Sequence, residues 1–165
     1  RVNAVWGDDK RVEAEVDSMA GQDGPFDLVW AAGALYFLGV EEGLRHFRQR
    51  LAPGGVVAFS ELAWLVERPD PGLEWELRKE YPEIGGADTL QARAAAAGYE
   101  VCGMRVLDDA AWEAYYTPME ARIAALRPGA DGDLVAVLDV GTEEIRLWRE
   151  NRDQFGYLLA VVRPA

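Results

Sequence analysis

Phe26-Asp27-Leu28-Val29-Trp30 and, one helix later, Leu51-Ala52-Pro53-Gly54-Gly55-Val56-Val57-Ala58-Phe59-Ser60-Glu61 decide the fold of this chain. Each is an apolar run of strand length. Between them Val40, Leu44, Phe47 and Leu51 recur at helical spacing, with Glu41, Glu42, Arg45, Arg48 and Arg50 on the outer face. Pro53, Gly54 and Gly55 stop that helix before the second run begins. Strand, crossover helix and strand make a βαβ unit, and the carboxyl ends of such strands are where open α/β sheets hold small ligands. Apart from Asp27, the stretch from Phe26 to Ala32 is apolar, the pattern of a strand buried on both faces.

Upstream, Val12-Glu13-Ala14-Glu15-Val16 alternates apolar with acidic residues, a short strand with one wet face that ends at Asp17-Ser18-Met19. Downstream, Pro69, Pro71 and Pro82 rule out a single regular helix, so residues 66–88 form a covering segment with room for a short helix from Leu73 to Glu80. Asp88 or Thr89 can cap a helix running to Ala97, and Gly98 ends it before a strand from Tyr99 to Leu107. Thr117-Pro118-Met119-Glu120 has the capping-box arrangement and predicts a helix from there to about Leu126. Ile145 and Trp148 share one face of a further helix between about Asp133 and Asp153. Residues 108–153 thus form a helical insertion before the last strand, Phe155 to Val162, which has the look of a closing edge strand with Pro164 beside its end. Alternating strand and helix over 165 residues gives one α/β domain.

The balance of 17 Lys+Arg against 29 Asp+Glu sets a net charge of -12, which opposes binding to nucleic acid or to anionic lipid and favours a small-molecule or protein partner. The single cysteine, Cys102, lies between Val101 and Met104 in an apolar run. It is expected in the core, and with no partner in the chain it fits a reduced, cytoplasmic setting. No apolar run approaches the ~20 residues of a membrane span, and the first residues lack the plan of a signal peptide. His46, the only histidine, sits mid-helix away from the strand ends and is expected at the surface. No metal site is expected.

These residues resemble the class I S-adenosylmethionine-dependent methyltransferases, small bacterial members above all. Phe26-Asp27-Leu28-Val29 is similar to the fourth strand of that family's sheet, and Leu51-Ala52-Pro53-Gly54-Gly55 to its turn into the fifth. Two longer segments match as well: Trp30, Gly33, Ala34 and Tyr36 as Trp-x-x-Gly-Ala-x-Tyr, and Ser60, Glu61 and Trp64 as Ser-Glu-x-x-Trp. The resemblance implies a Rossmann-like α/β sheet, mostly parallel with an antiparallel closing strand. It also exposes a departure. The family's Gly-rich first loop and the acid after its second strand are missing, no Gly-x-Gly occurs, and only ten residues precede Arg11. The chain is therefore expected to be the C-terminal part of such a domain, lacking its first two strands, with Arg1 to Val5 as the tail of a helix. A truncated sequence and a true fragment both remain open.

By resemblance, Asp17 accepts a hydrogen bond from the adenine amino group, with Ser18 and Met19 beside the ring; on its own terms Asp17 could equally cap a loop. Trp30 and Ala31 end the fourth strand at its ligand edge, as cofactor lining or core, and Gly33 leaves room for close approach. Similar members carry Ser-Glu where this chain has Ala31-Ala32. Tyr36 faces the methyl group or packs under a lid, and Trp64 joins the acceptor side. Trp112, Tyr115 and Tyr116 stack on an acceptor or form core. Methyl transfer is an in-line displacement at a sulfonium carbon, so positioning and exclusion of water can supply most of the catalysis. Aromatic faces suit such a cation. A base is needed only for an acceptor that arrives protonated, and Glu61 is the candidate by position, against a plain role as a surface acid. The implied activity is methyl transfer from S-adenosylmethionine to a small molecule. The alternatives are a nicotinamide-dependent reductase and a non-enzymatic binding module.

Overall fold

The computed structural model describes residues 2–6, 10–14 and 24–165, the first two segments at the level of the backbone. Strands β1 (Val2–Trp6) and β2 (Lys10–Ala14) pair antiparallel with each other in a two-stranded sheet. Two expectations are corrected here. Residues Val2 to Val5 form a strand rather than the tail of a helix, and β2 pairs with β1 instead of joining the larger sheet. Val2 and Val5 in β1 and Val12 in β2 are β-branched residues, which favour strand over helix.

The larger sheet is built from β3 (Phe26–Ala32), β4 (Leu51–Trp64), β5 (Tyr99–Val106) and β6 (Phe155–Pro164), in the order β3-β4-β6-β5. β3 and β4 are parallel, joined through helix α1 (Val40–Arg48), while β6 runs antiparallel to both β4 and β5. Three strands therefore point one way and the last points back. The last strand is inside the sheet, not at its edge. Its apolar residues explain this: Leu158, Ala160 and Val162 are buried on one face and Phe155 on the other, which needs neighbours on both sides.

Strand alternation sorts the core into two layers. Val57, Phe59 and Ala63 of β4 meet α1 and helix α3 (Ala87–Ala96), burying Val40, Leu44, Phe47, Leu90 and Ala94. Leu62 and Trp64 point the other way, to α2 (Pro71–Glu80), α4 (Asp109–Leu126) and α5 (Gly132–Asn151). β3 is buried on one face only, contrary to the sequence reading. Ala31 enters the core, whereas Leu28 and Trp30 are 53% and 61% exposed, because the helices of the second layer lie over β4 and β6 and stop short of the outer strand.

Three local expectations also change. α4 starts at Asp109, capped by Asp108 whose side chain accepts from the Ala111 N–H at 3.0 Å, and it runs through Pro118 without a break. Thr117 donates its hydroxyl to Glu113 at 2.9 Å instead of capping a new helix. α3 begins after Gly86, so neither Asp88 nor Thr89 caps it. Cys102 is exposed, because a register shift between Val101 and Gly103 on the outer strand β5 leaves it as the unpaired extra residue of a bulge. Gly55 shows why the Pro-Gly-Gly turn has its composition: a Cβ there would sit 2.7 Å from the Phe26 carbonyl oxygen. Among the described residues, no helix is long and apolar enough to cross a membrane.

Candidate functional site

The chain leaves β3 through Gly33, whose N–H donates to the Ser60 carbonyl at 3.1 Å and to the Ser60 hydroxyl at 3.0 Å. These two bonds tie the loop after β3 to the neighbouring strand. Gly33 adopts φ +56°, and a Cβ on it would stand 3.2 Å from the Tyr157 hydroxyl. A short 3-10 turn, Leu35–Phe37, follows. Leu35 is buried and packs where Gly43 of α1 has no side chain, which turns Tyr36 and Phe37 outward. Tyr36 then meets Tyr81 edge-on, ring centres 5.6 Å apart.

Beneath this turn lies a cavity of about 540 Å³, lined by Ala32, Gly33, Tyr36, Ser60 and Tyr157 on the strand side and by Trp112, Tyr115, Tyr116 and Glu144 of α4 and α5 on the other. Its aromatic wall is set from the core outward. Trp112 stacks on Trp148 at 5.1 Å and lies 5.0 Å from Tyr157 and 5.6 Å from Tyr116. Tyr116 is buried and donates its hydroxyl to Glu144 at 3.1 Å, while Tyr115 is exposed at the rim. Burial, with Tyr81, Glu61 and Glu144 nearby, pushes the Tyr157 phenol up to about 12. Burial and the Glu144 carboxylate likewise raise Tyr116. Both phenols therefore stay neutral and keep a proton to donate.

Tyr36 and Tyr81 also wall a second cavity of about 330 Å³. Glu61, Glu80, Glu83 and Arg93 line it, together with Phe37 and Pro82. Glu61 follows Ser60 on β4 and so faces the other way, towards α1 and α3. Burial pushes its carboxyl up to about 7, although the Arg93 guanidinium pulls in the opposite direction. Among the described residues its Oε2 is buried without a hydrogen-bond partner.

No family model matches this sequence, and no curated protein does. Solved structures do match the fold. A methyltransferase from Geobacter sulfurreducens, solved with S-adenosyl-L-homocysteine, superposes with a TM-score of 0.70 at 21% identity, over 87% of this chain and 60% of that one. A methyltransferase from Thiobacillus denitrificans, solved with the same ligand, gives 0.69 at 20% identity over the same shares. The fold is that of the class I S-adenosylmethionine-dependent methyltransferases. The [4+2]-cyclase SpnF shares it, with a TM-score of 0.62 at 18% identity over 92% of this chain and 54% of its own. The chain spans about 60% of the length of the first two structures.

Within this methyltransferase fold, Gly33, Tyr36, Trp112, Tyr115 and Tyr116 come together around one cavity, and Glu61 around its neighbour. Three other candidates lie elsewhere. Ala31 and Trp64 point into the two core layers, and Trp30 sits on the uncovered face of β3. Trp64 is buried, with its Nε1 unpaired among the described residues. Asp17, Ser18 and Met19 lie outside the described residues. The structure adds Tyr157, Glu144, Ser60, Tyr81 and Arg93 to the walls. Tyr81 carried a faint signal, as an aromatic residue next to Pro82 in the covering segment. Tyr157 and Glu144 carried none, since one is in an apolar strand and the other in a charged helix.

Proposed function

We propose that the protein containing this chain transfers a methyl group from S-adenosylmethionine to a small-molecule acceptor. The observation that carries this reading is the cavity of about 540 Å³ at the carboxyl ends of β3 and β4, within the size range of small-molecule sites and walled by aromatic rings. The residues fit the donor: Gly33 offers a backbone with no Cβ in the way, Ser60 holds that backbone in place, and rings stand where a cation would need them. When bound, the donor supplies an electrophilic methyl carbon on a sulfonium. Gly33 and Ala32 hold it on the strand side, and Asp17, Ser18 and Met19 hold its adenine. Tyr36, Trp112, Tyr115 and Tyr116 orient the acceptor and keep water away. Glu61, in the adjoining cavity that shares Tyr36 and Tyr81 with this one, takes the proton of an acceptor that arrives protonated, before the acceptor reaches the donor. The net charge of -12 supports a small-molecule partner over nucleic acid or membrane, in a cytoplasmic setting.

Thermal melting of the complete natural protein with S-adenosylhomocysteine tests this. A ligand at a hundred times its dissociation constant stabilises the folded state by ~2.7 kcal/mol. An upward shift of several degrees is expected. Stabilisation by a nicotinamide dinucleotide instead would make the protein a reductase, and no response to either ligand at millimolar concentration would favour a binding module.

A further inference from the structure

We propose that the acceptor is a small amine, which enters the 330 Å³ cavity as its ammonium form and gives a proton to Glu61. This rests on the methyl-transfer reading and adds the substrate class to it.

Charge is the first support. The cavity wall carries Glu61, Glu80 and Glu83 against one cation, Arg93, so with Glu61 ionised its net charge is three negative against one positive, or -2. Arg93 is already engaged: its Nη2 donates to the Glu83 carbonyl at 2.8 Å and lies 3.7 Å from the Glu83 carboxylate. A carboxylate or phosphate ligand would meet two uncompensated acids there. An ammonium would meet the opposite charge.

The rings are the second support. Tyr36, Phe37 and Tyr81 line the same cavity, Tyr36 and Phe37 with centres 3.8 Å apart, and aromatic faces attract ammonium groups. The third is the buried Oε2 of Glu61, an acceptor without a donor among the described residues. Such an atom forfeits its hydration until a ligand brings an N–H or O–H to it. An ammonium brings three N–H donors and the charge as well.

The proton step balances within the pair. An N–H bond of the ammonium breaks, its electrons remain on nitrogen as a lone pair, and the proton forms an O–H bond on the Glu61 carboxylate. One cation and one anion become two neutral groups. A carboxyl raised to about 7 is a stronger base than an exposed glutamate, and burial lowers an amine's basicity, so the two affinities for the proton converge. The neutral amine then carries the lone pair that methylation requires, and passes Tyr36 and Tyr81, which line both cavities, to meet the donor in the larger one. Glu61 later returns its proton to water.

The test uses the complete natural protein, titrated at about pH 8 with butylamine, butanol and butyrate, three chains of similar length that differ in charge. Butylamine is expected to bind about tenfold or more tightly than either of the others, and Glu61→Gln to lose about tenfold or more of that affinity. Titratable and charged groups around Glu61 are Tyr36, Tyr81, Tyr157, Glu80, Glu83 and Arg93. Burial moves the Glu61 carboxyl towards neutrality, so butylamine affinity of the unaltered protein should also fall about tenfold between about pH 8 and about pH 5.5. Butyrate binding as tightly as butylamine, or a Glu61→Gln affinity within about twofold of the original, overturns the proposal. A parallel titration with S-adenosylhomocysteine separates it from the functional reading. Homocysteine-ligand binding without amine preference overturns the amine proposal alone, and amine preference without that binding overturns methyl transfer while the amine cavity stands.

Discussion

Replacing Glu61 by Gln should stabilise the protein, and the gain should grow with pH. Glu61 titrates at 4.5 in an unfolded chain and at about 7 in the folded one, because burial disfavours its charge. Below the lower value the group is neutral in both states and contributes nothing. Between the two values the unfolded chain has released a proton that the folded chain still holds, so the unfolding free energy falls as pH rises. Above about 7 the loss is complete. Each unit of displacement corresponds to ~1.4 kcal/mol, which sets an upper limit of ~3 kcal/mol. Glu61 keeps contact with solvent, and screening brings the expected figure to ~1–2 kcal/mol. Gln has the same shape and no charge, so it escapes this cost. Urea denaturation of both proteins at about pH 4.5, 5.5, 6.5 and 8 measures it. The difference should be smallest at about pH 4.5, widen through the window between the two values and reach ~1–2 kcal/mol by the alkaline end, a melting shift of roughly 2–8 °C. A difference that does not change with pH, or that shrinks as pH rises, would refute the burial of this carboxyl.

Gly33→Ala combines a left-handed backbone at φ +56° with a new Cβ 3.2 Å from the Tyr157 hydroxyl, so it should cost ~1–2 kcal/mol in urea denaturation and weaken S-adenosylhomocysteine binding. Trp148→Ala removes a side chain that is 1% exposed and supports Trp112 at 5.1 Å. It should cost ~3–5 kcal/mol, and a loss of near-ultraviolet circular dichroism from the remaining rings would show that the aromatic wall has loosened. A loss under about 1 kcal/mol would mean the wall stands without Trp148.

The parts of the fold legible in the sequence are those fixed by residues near one another. Val40, Leu44 and Phe47 announce α1 because one helix face must be apolar, and they are the residues it buries. The position of β6 could not be read that way. Its pairing of Tyr157 with Leu62 joins residues far apart in the chain, and an apolar strand looks the same at the edge or the centre until its partners are known. Thr117-Pro118 misleads for a related reason. A capping box is recognised over four residues, whereas the helix there is nucleated upstream by Asp108 and favoured by Ala110, Ala111 and Ala114. Proline removes only one hydrogen bond from a helix already under way, and the packing of Trp112, Tyr116 and Trp148 outweighs that loss. For the site, Glu61 was visible because an acid at the end of an apolar strand is out of place. Tyr157 was hidden because an aromatic residue in such a strand is ordinary.

Ser60 and Glu61 carry the logic of the site further than either does alone. Adjacent residues on a strand face opposite sides, so Ser60 holds Gly33 at the larger cavity while Glu61 serves the smaller one. The polar groups of both compartments are thus fixed by one register, in which Ser60 pairs with Leu159 and Glu61 with Leu158. A slip of one residue would exchange the two faces at once. Glu61 would then stand where the Gly33 N–H needs a hydroxyl, and the smaller cavity would lose its carboxyl. Phe59 and Val57, wholly buried against α1 and α3, oppose that slip, because it would turn both out of their layer. The core residues of β4 therefore do more than stabilise the sheet: they decide which cavity receives the acid.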